Sequence, residues 1–235
     1  MKSNKVSSTV LGIGAFAFLG LAVVLASRFP AVEGLGTKVR LPVFHGALTW
    51  ANLTTFSLMA IVAVVYLVRR RDAIYRWETG LRWISVPMWF VGSGLGLWAA
   101  LNTWDLSGSQ SSALSVVISD PRLMAQFWVC ILAVLLLVMP LLLEERRYLA
   151  VADIAFTGLM WFLLLRAILG PGRALHPDSP VMNSDEIMIK LIFVGIFASL
   201  TAAALLTSWV LSRLVKPAED ENVLPAVAEE APTRA

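Results

Sequence analysis

Six apolar runs alternate along this chain with short polar stretches, and each run is near the roughly 20 residues a helix needs to cross about 30 Å of hydrocarbon. They extend approximately from Ser8 to Ala26, Pro42 to Val68, Leu81 to Leu101, Leu123 to Leu143, Ala150 to Leu169 and Ile187 to Leu211. Only intrahelical hydrogen bonds satisfy a backbone in lipid, so the pattern predicts an all-α, polytopic membrane protein of six transmembrane helices. Basic residues assign the sides. Arg69, Arg70, Arg71, Arg76 and Arg82 crowd the connection between the second and third runs, and Arg146 and Arg147 that between the fourth and fifth. By the positive-inside rule these connections are cytoplasmic. Lys2 and Lys5 at one end and Arg213 and Lys216 at the other place both termini on the same side. The opposite face receives three longer loops, around 29–41, 102–122 and 170–186, where function is expected.

Composition sharpens this picture. The chain of 235 residues is 58% hydrophobic and 15% charged, with a mean hydropathy of +0.75 and a pI near 9.3. Its basic residues collect in short loops and form no continuous stripe, which speaks against a nucleic-acid partner. A single cysteine, Cys130, inside an apolar run leaves no internal disulfide, no CxxC pair and no CxxCH for covalent haem attachment. Lys2 and Lys5 ahead of the first run resemble the start of a signal peptide, but the run exceeds the usual h-region of about 7 to 15 residues, and an uncleaved helix is expected. Residues 1–216 form the membrane domain, and 217–235, rich in proline and acidic side chains, read as a disordered acidic cytoplasmic tail. No internal repeat is evident. Gly92 and Gly96 form a GxxxG spacing, read as close helix packing because no strand precedes it for a nucleotide loop.

The two histidines, His45 and His176, both fall on the non-cytoplasmic side. A lone histidine is more often a hydrogen-bonded structural residue than a ligand, but a pair on one face is more informative. Neutral imidazole is a good ligand for haem iron, which accepts two axial nitrogens. A zinc site wants three or four ligands, and Asp105, Asp120, Asp178, Asp185 and Glu186 offer no recognisable spacing for it. Trp83, Trp89, Trp98, Trp104 and Trp128 read either as an interfacial belt or as a flat platform for a porphyrin, with Trp98 and Trp104 the best placed. Arg40, Arg122, Arg166 and Arg173 map to the outer ends of their segments, where cations could meet haem propionates; Arg166 fits a structural pairing equally well. Asn52, Asp153 and Lys190 are the main polar residues within the spans and show no common line.

These residues together resemble the haem-handling family of cytochrome c maturation, the CcmC and CcsA type, in which two outward histidines flank a tryptophan-rich segment. The resemblance spans nearly the whole membrane domain. Arg40-Leu-Pro-Val-Phe-His45 is similar to the family's first histidine with its upstream arginine, and Arg166 to Pro180, containing Leu175-His176-Pro177, to the second. Asp120-Pro-Arg122-Leu123 resembles the Asp-x-Arg-Leu that closes the aromatic segment. Trp104-Asp105 stands apart from it across Ser107 to Ser119, so either the segment carries an insertion or Ser119-Asp120 stands where Trp-Asp usually does.

The resemblance implies transient haem b held at the outer surface by His45 and His176, with Trp98, Trp104, Asp105, Asp120, Arg122, Arg40 and Arg166 around it. It further implies a location in the inner, cytoplasmic membrane of the cell. The expected partners are a haem chaperone and either an ATP-driven maturation complex or a cytochrome c synthetase component. On this reading the protein handles haem and is not an enzyme. The alternatives are a b-type cytochrome subunit for electron transfer and a membrane permease or haem exporter subunit.

Overall fold

The computed structural model of the chain describes residues 2–104, 106, 111–143, 145–170, 181 and 184–215, with side chains from residue 8 onward. Among these residues the chain is all-helical: α1 Lys2–Ser27, α2 Arg40–Arg69, α3 Asp72–Thr103, α4 Ala113–Ile118, α5 Pro121–Leu142, α6 Arg146–Leu169 and α7 Ile187–Ser212. Six of them, all but α4, are long and apolar enough to cross a membrane. The predicted helix order therefore holds, with each run extended at one end or both, except that α5 stops one residue short of Leu143. The tail from 217 onward lies outside the described residues.

Local chemistry explains the helix ends. Asp120 caps α5, its Oδ1 accepting from the backbone N–H of Arg122 at 2.8 Å and of Leu123 at 3.4 Å, and Pro121 follows at the first helical position. Both residues meet orphan donors where a helix has them to spare. The corner between α2 and α3 turns on Arg70, a left-handed residue at φ 50° whose N–H returns to the Tyr66 carbonyl at 2.7 Å. On the outer side a turn closed by the Val32–Gly36 bridge and a 3-10 turn at Thr37–Val39 lead into α2. The stretch between Trp104 and Asp120 contains α4, begun by Ser112, whose hydroxyl accepts from the Ser115 N–H, and anchored by fully buried Val117.

α2 and α3 lie at the centre of the bundle, α2 packing against α1, α3, α6 and α7, and α3 against α2, α5, α6 and α7. One core joins α2, α3, α5 and α6 through Phe56, Met59, Trp89, Val129 and Met160. A second joins α1, α2 and α7 through Ala22, Ala47, Ala51, Ile196 and Leu200. Lipid is as apolar as leucine, so helices associate in it by close packing and polar contacts rather than by excluding water. Small residues accordingly mark the tightest crossings. At Gly80 of α3 the α7 backbone comes so close that a Cβ would collide with the Ser208 carbonyl oxygen.

Candidate functional site

His45 lies between one and two turns from the outer end of α2 and is half-buried against α3. Its Nδ1 lies 2.9 Å from the carbonyl oxygen of Gly92. A carbonyl only accepts, so Nδ1 must carry the proton, and in a neutral imidazole the lone pair then belongs to Nε2. Ligating histidines commonly show this arrangement: one ring nitrogen donates to a backbone carbonyl and the other presents its lone pair. Gly92 has no side chain to shield its carbonyl, whose second lone pair stays available beside the intrahelical bond.

Gly96, one turn further out on α3, completes the seat. A Cβ there would fall 2.5 Å from His45 Cε1 and 2.9 Å from Nε2, so the imidazole fills the volume that any other residue at 96 would claim. The GxxxG spacing read in the sequence as a packing motif therefore has a particular occupant. Two turns inward on the same face of α2, fully buried Asn52 lies against Gly92, a Cβ there being 3.6 Å from its Nδ2.

The remaining sequence candidates separate into those near this seat and those elsewhere. Arg40 opens α2 and spends its Nε on the Phe29 carbonyl at 3.0 Å, which ties the first outer loop to α2. Trp104 closes α3, half-buried, its N–H bonded to Ala100 O. Trp98, by contrast, is not brought to His45. It lies two residues beyond Gly96, about 200° around the helix, and is 57% exposed on the outer surface of the bundle. Nor do the other tryptophans form one platform, for Trp89 is buried against Phe56 in the core while Trp83 and Trp128 face outward.

Asp120 is 1% exposed and at least part of its carboxylate serves as the α5 cap. Arg122, the second residue of α5, is half-buried with its Nε unpartnered among the described residues. Arg166 is exposed in the last turn of α6, consistent with a side chain that snorkels outward. His176, Asp105, Arg173 and Asp178 lie outside the described residues. Among those described, no three His, Cys, Asp or Glu side chains converge as a metal site.

The polar residues within the spans require a correction. Arg82, grouped in sequence with the cytoplasmic loop, sits inside α3 at 1% exposure. Its Nε and Nη2 reach Asp153 Oδ1 and Oδ2 at 2.8 and 2.6 Å, a bidentate pair between α3 and α6. Glu78, one turn below on α3 and equally buried, lies 3.5 Å from the same Nη2. Asn52 and Asp153 thus both line the interior of α2, α3 and α6, while Lys190 is half-exposed near the start of α7. An aromatic layer separates the two interior residues: Phe56 packs on Trp89 at 6.0 Å and on Phe156 at 4.9 Å between ring centroids.

The histidine seat and the ion cluster mark opposite ends of α3. From Arg82 to Gly96 the helix rises about 21 Å. Neither motif is complete in sequence, because each needs the register between helices; the advance signals for the seat were His45 itself and the glycine spacing. No protein-family model matches the chain, and no curated protein sequence matches it.

Proposed function

We propose that the protein binds haem at its non-cytoplasmic face, with His45 and His176 as axial ligands, and presents it to a chaperone or synthetase for cytochrome c maturation in the inner membrane. The observation that carries this reading is the Nδ1 bond from His45 to the Gly92 carbonyl, which holds the imidazole in the tautomer and orientation a ligand needs. Haem iron when bound supplies an acceptor for two such nitrogens. The protein's part is to position His45, to exclude a competing side chain at Gly96, and to keep Arg40 one turn outward on the same helix. The resemblance of the flanking motifs supports His176 as the second ligand and haem transfer as the task. On this reading the chain is a handling protein, and ATP chemistry belongs to a partner.

The aromatic layer of Phe56, Trp89 and Phe156 favours this reading over a permease, since it interrupts the interior between Asn52 and Asp153 with packed apolar rings. The test is an absorption spectrum of protein purified from haem-replete cells, wild type beside His45→Ala and His176→Ala, with added imidazole. A Soret band in the wild type, lost in each variant and restored by imidazole, is expected. Wild-type protein without a Soret band overturns the proposal, and haem retained through exhaustive washing with reversible redox cycling replaces it with an electron-transfer subunit.

A further inference from the structure

At the cytoplasmic end of the bundle, the first two turns of α3 and the last turn of α7 enclose a cleft of about 360 Å³. Ile74, Arg76, Trp77, Trp209, Ser212 and Arg213 line it. We propose that this cleft binds the headgroup of an anionic phospholipid from the cytoplasmic leaflet.

Its chemistry matches such a lipid at three points. The charge of the lining is positive, from Arg76 and Arg213, with no acidic residue among the lining side chains. Arg76 Nε pairs with Asp72 Oδ2 at 3.0 Å, but the other oxygen of that carboxylate takes Arg146 Nη1 at 2.6 Å, so Arg76 shares its counter-ion with a second guanidinium. Among the described residues, Arg213 meets a hydroxyl, Ser8 Oγ at 3.4 Å, and the face of Trp209 at 5.8 Å, and no carboxylate. A guanidinium offers parallel N–H donors that fit phosphate oxygens, and basic pockets between helices on this side of a membrane suit anionic headgroups.

The second point is a donor. Trp77 lines the cleft and makes a T-shaped contact with Trp209, centroids 6.2 Å apart, and its buried Nε1 has no hydrogen-bond partner among the described residues. A phosphate or glycerol oxygen seated against the two indoles would give this N–H the acceptor it lacks. Depth supplies the third. Tryptophans favour the level of the headgroups, and here two flank two arginines, while the apolar surfaces of α3 and α7 continue outward along the path of acyl chains. A soluble phosphate would satisfy the arginines yet leave the apolar walls of Ile74 and Trp209 without a partner.

The test compares full-length protein in detergent as dioleoylphosphatidylglycerol, dioleoylphosphatidylcholine or inorganic phosphate is added, read by thermal unfolding and by lipid adducts in native mass spectrometry. Phosphatidylglycerol is expected to raise Tm and to persist as an adduct, with phosphatidylcholine and inorganic phosphate leaving Tm unchanged. Arg76→Gln with Arg213→Gln should weaken phosphatidylglycerol binding at least tenfold, and Trp77→Phe severalfold, while Arg69→Gln on the adjoining corner keeps it. Should the double variant fail to fold, Arg213→Gln alone carries the test, because that side chain is exposed. Equal responses to the two lipids, stabilisation by inorganic phosphate alone, or unchanged binding in the arginine variants each overturns the proposal.

Discussion

Replacing Gly96 by alanine tests whether α3 is shaped around His45. The new Cβ would lie 2.5 Å from Cε1, where ordinary contact begins at 3.4 Å, so the ring must retreat by about 0.9 Å. A retreat of that size away from α3 would stretch or break the 2.9 Å bond from Nδ1 to the Gly92 carbonyl, which sits on the same helix as the new Cβ. Losing it costs about 0.5–1.5 kcal/mol, and the overpacking about 1–3 kcal/mol. The better helix propensity of alanine returns up to about 1 kcal/mol. A net loss of about 1–3 kcal/mol is expected, measured by unfolding in mixed micelles. In a His45→Ala background the obstacle is gone, so the same substitution should cost nothing or stabilise. The resulting coupling, on the order of 2 kcal/mol, is the quantity to measure in a double-mutant cycle. Gly94→Ala is the control, for a Cβ there meets nothing within 4 Å. A Gly96→Ala penalty that is the same with and without His45 would refute the seat. A full coupling energy with an unchanged Soret band would refute its role in haem ligation.

Three further substitutions probe the scaffold. Arg82→Gln leaves Asp153 buried without its bidentate partner and should cost about 3–5 kcal/mol in micellar unfolding, much of it recovered by adding Asp153→Asn. Gly80→Ala should be worse than Gly96→Ala, about 3 kcal/mol or more, because its obstacle is the α7 backbone at Ser208 and no side chain can swing aside; expression and Tm report it. Asp120→Ala should cost about 1 kcal/mol and Asp120→Asn a fraction of that, read by the same unfolding assay, since either carboxylate or amide oxygen can cap α5.

The six spans were legible because the bilayer imposes one strict demand, a long apolar run, and the sequence answers it six times. What escaped the pattern was polar matter on helices. α3 begins at Asp72, nine residues before its apolar run, because Arg76 and Glu78 continue the helix through the interface without raising the hydropathy. Arg82 consequently read as one more loop cation, although its partner is 71 positions away on α6 and only the fold introduces them. The tryptophans, read either as a belt or as a platform, divide for the opposite reason. Closeness in sequence suggested a shared surface, but residues 83, 89 and 98 project at different angles from one helix, into lipid, core and lipid respectively. At the candidate site the histidine was visible and its support was not, since the carbonyl of a glycine leaves no trace in composition.

The two close approaches of α3 differ in kind, and the difference bears on how an outer site could work. At its inner end α3 is fixed by backbone against backbone at Gly80 and Ser208, and two residues later by the bidentate pair of Arg82 with Asp153. The backbone contact has no side chain that can swing aside, and the buried bidentate pair would give up both of its hydrogen bonds on turning, so both contacts oppose a change of register among α3, α6 and α7. Sixteen residues further out, α3 meets the His45 side chain of α2, which has two rotatable bonds and donates to the Gly92 carbonyl. On the proposed haem-handling reading, a site that accepts and surrenders a large planar ligand gains from such an asymmetry: a base that preserves helix register, and a ligand residue whose orientation is set through a side chain by hydrogen bonding of modest strength. Stiffening the outer contact should therefore slow haem release, whereas loosening the inner one should cost stability first.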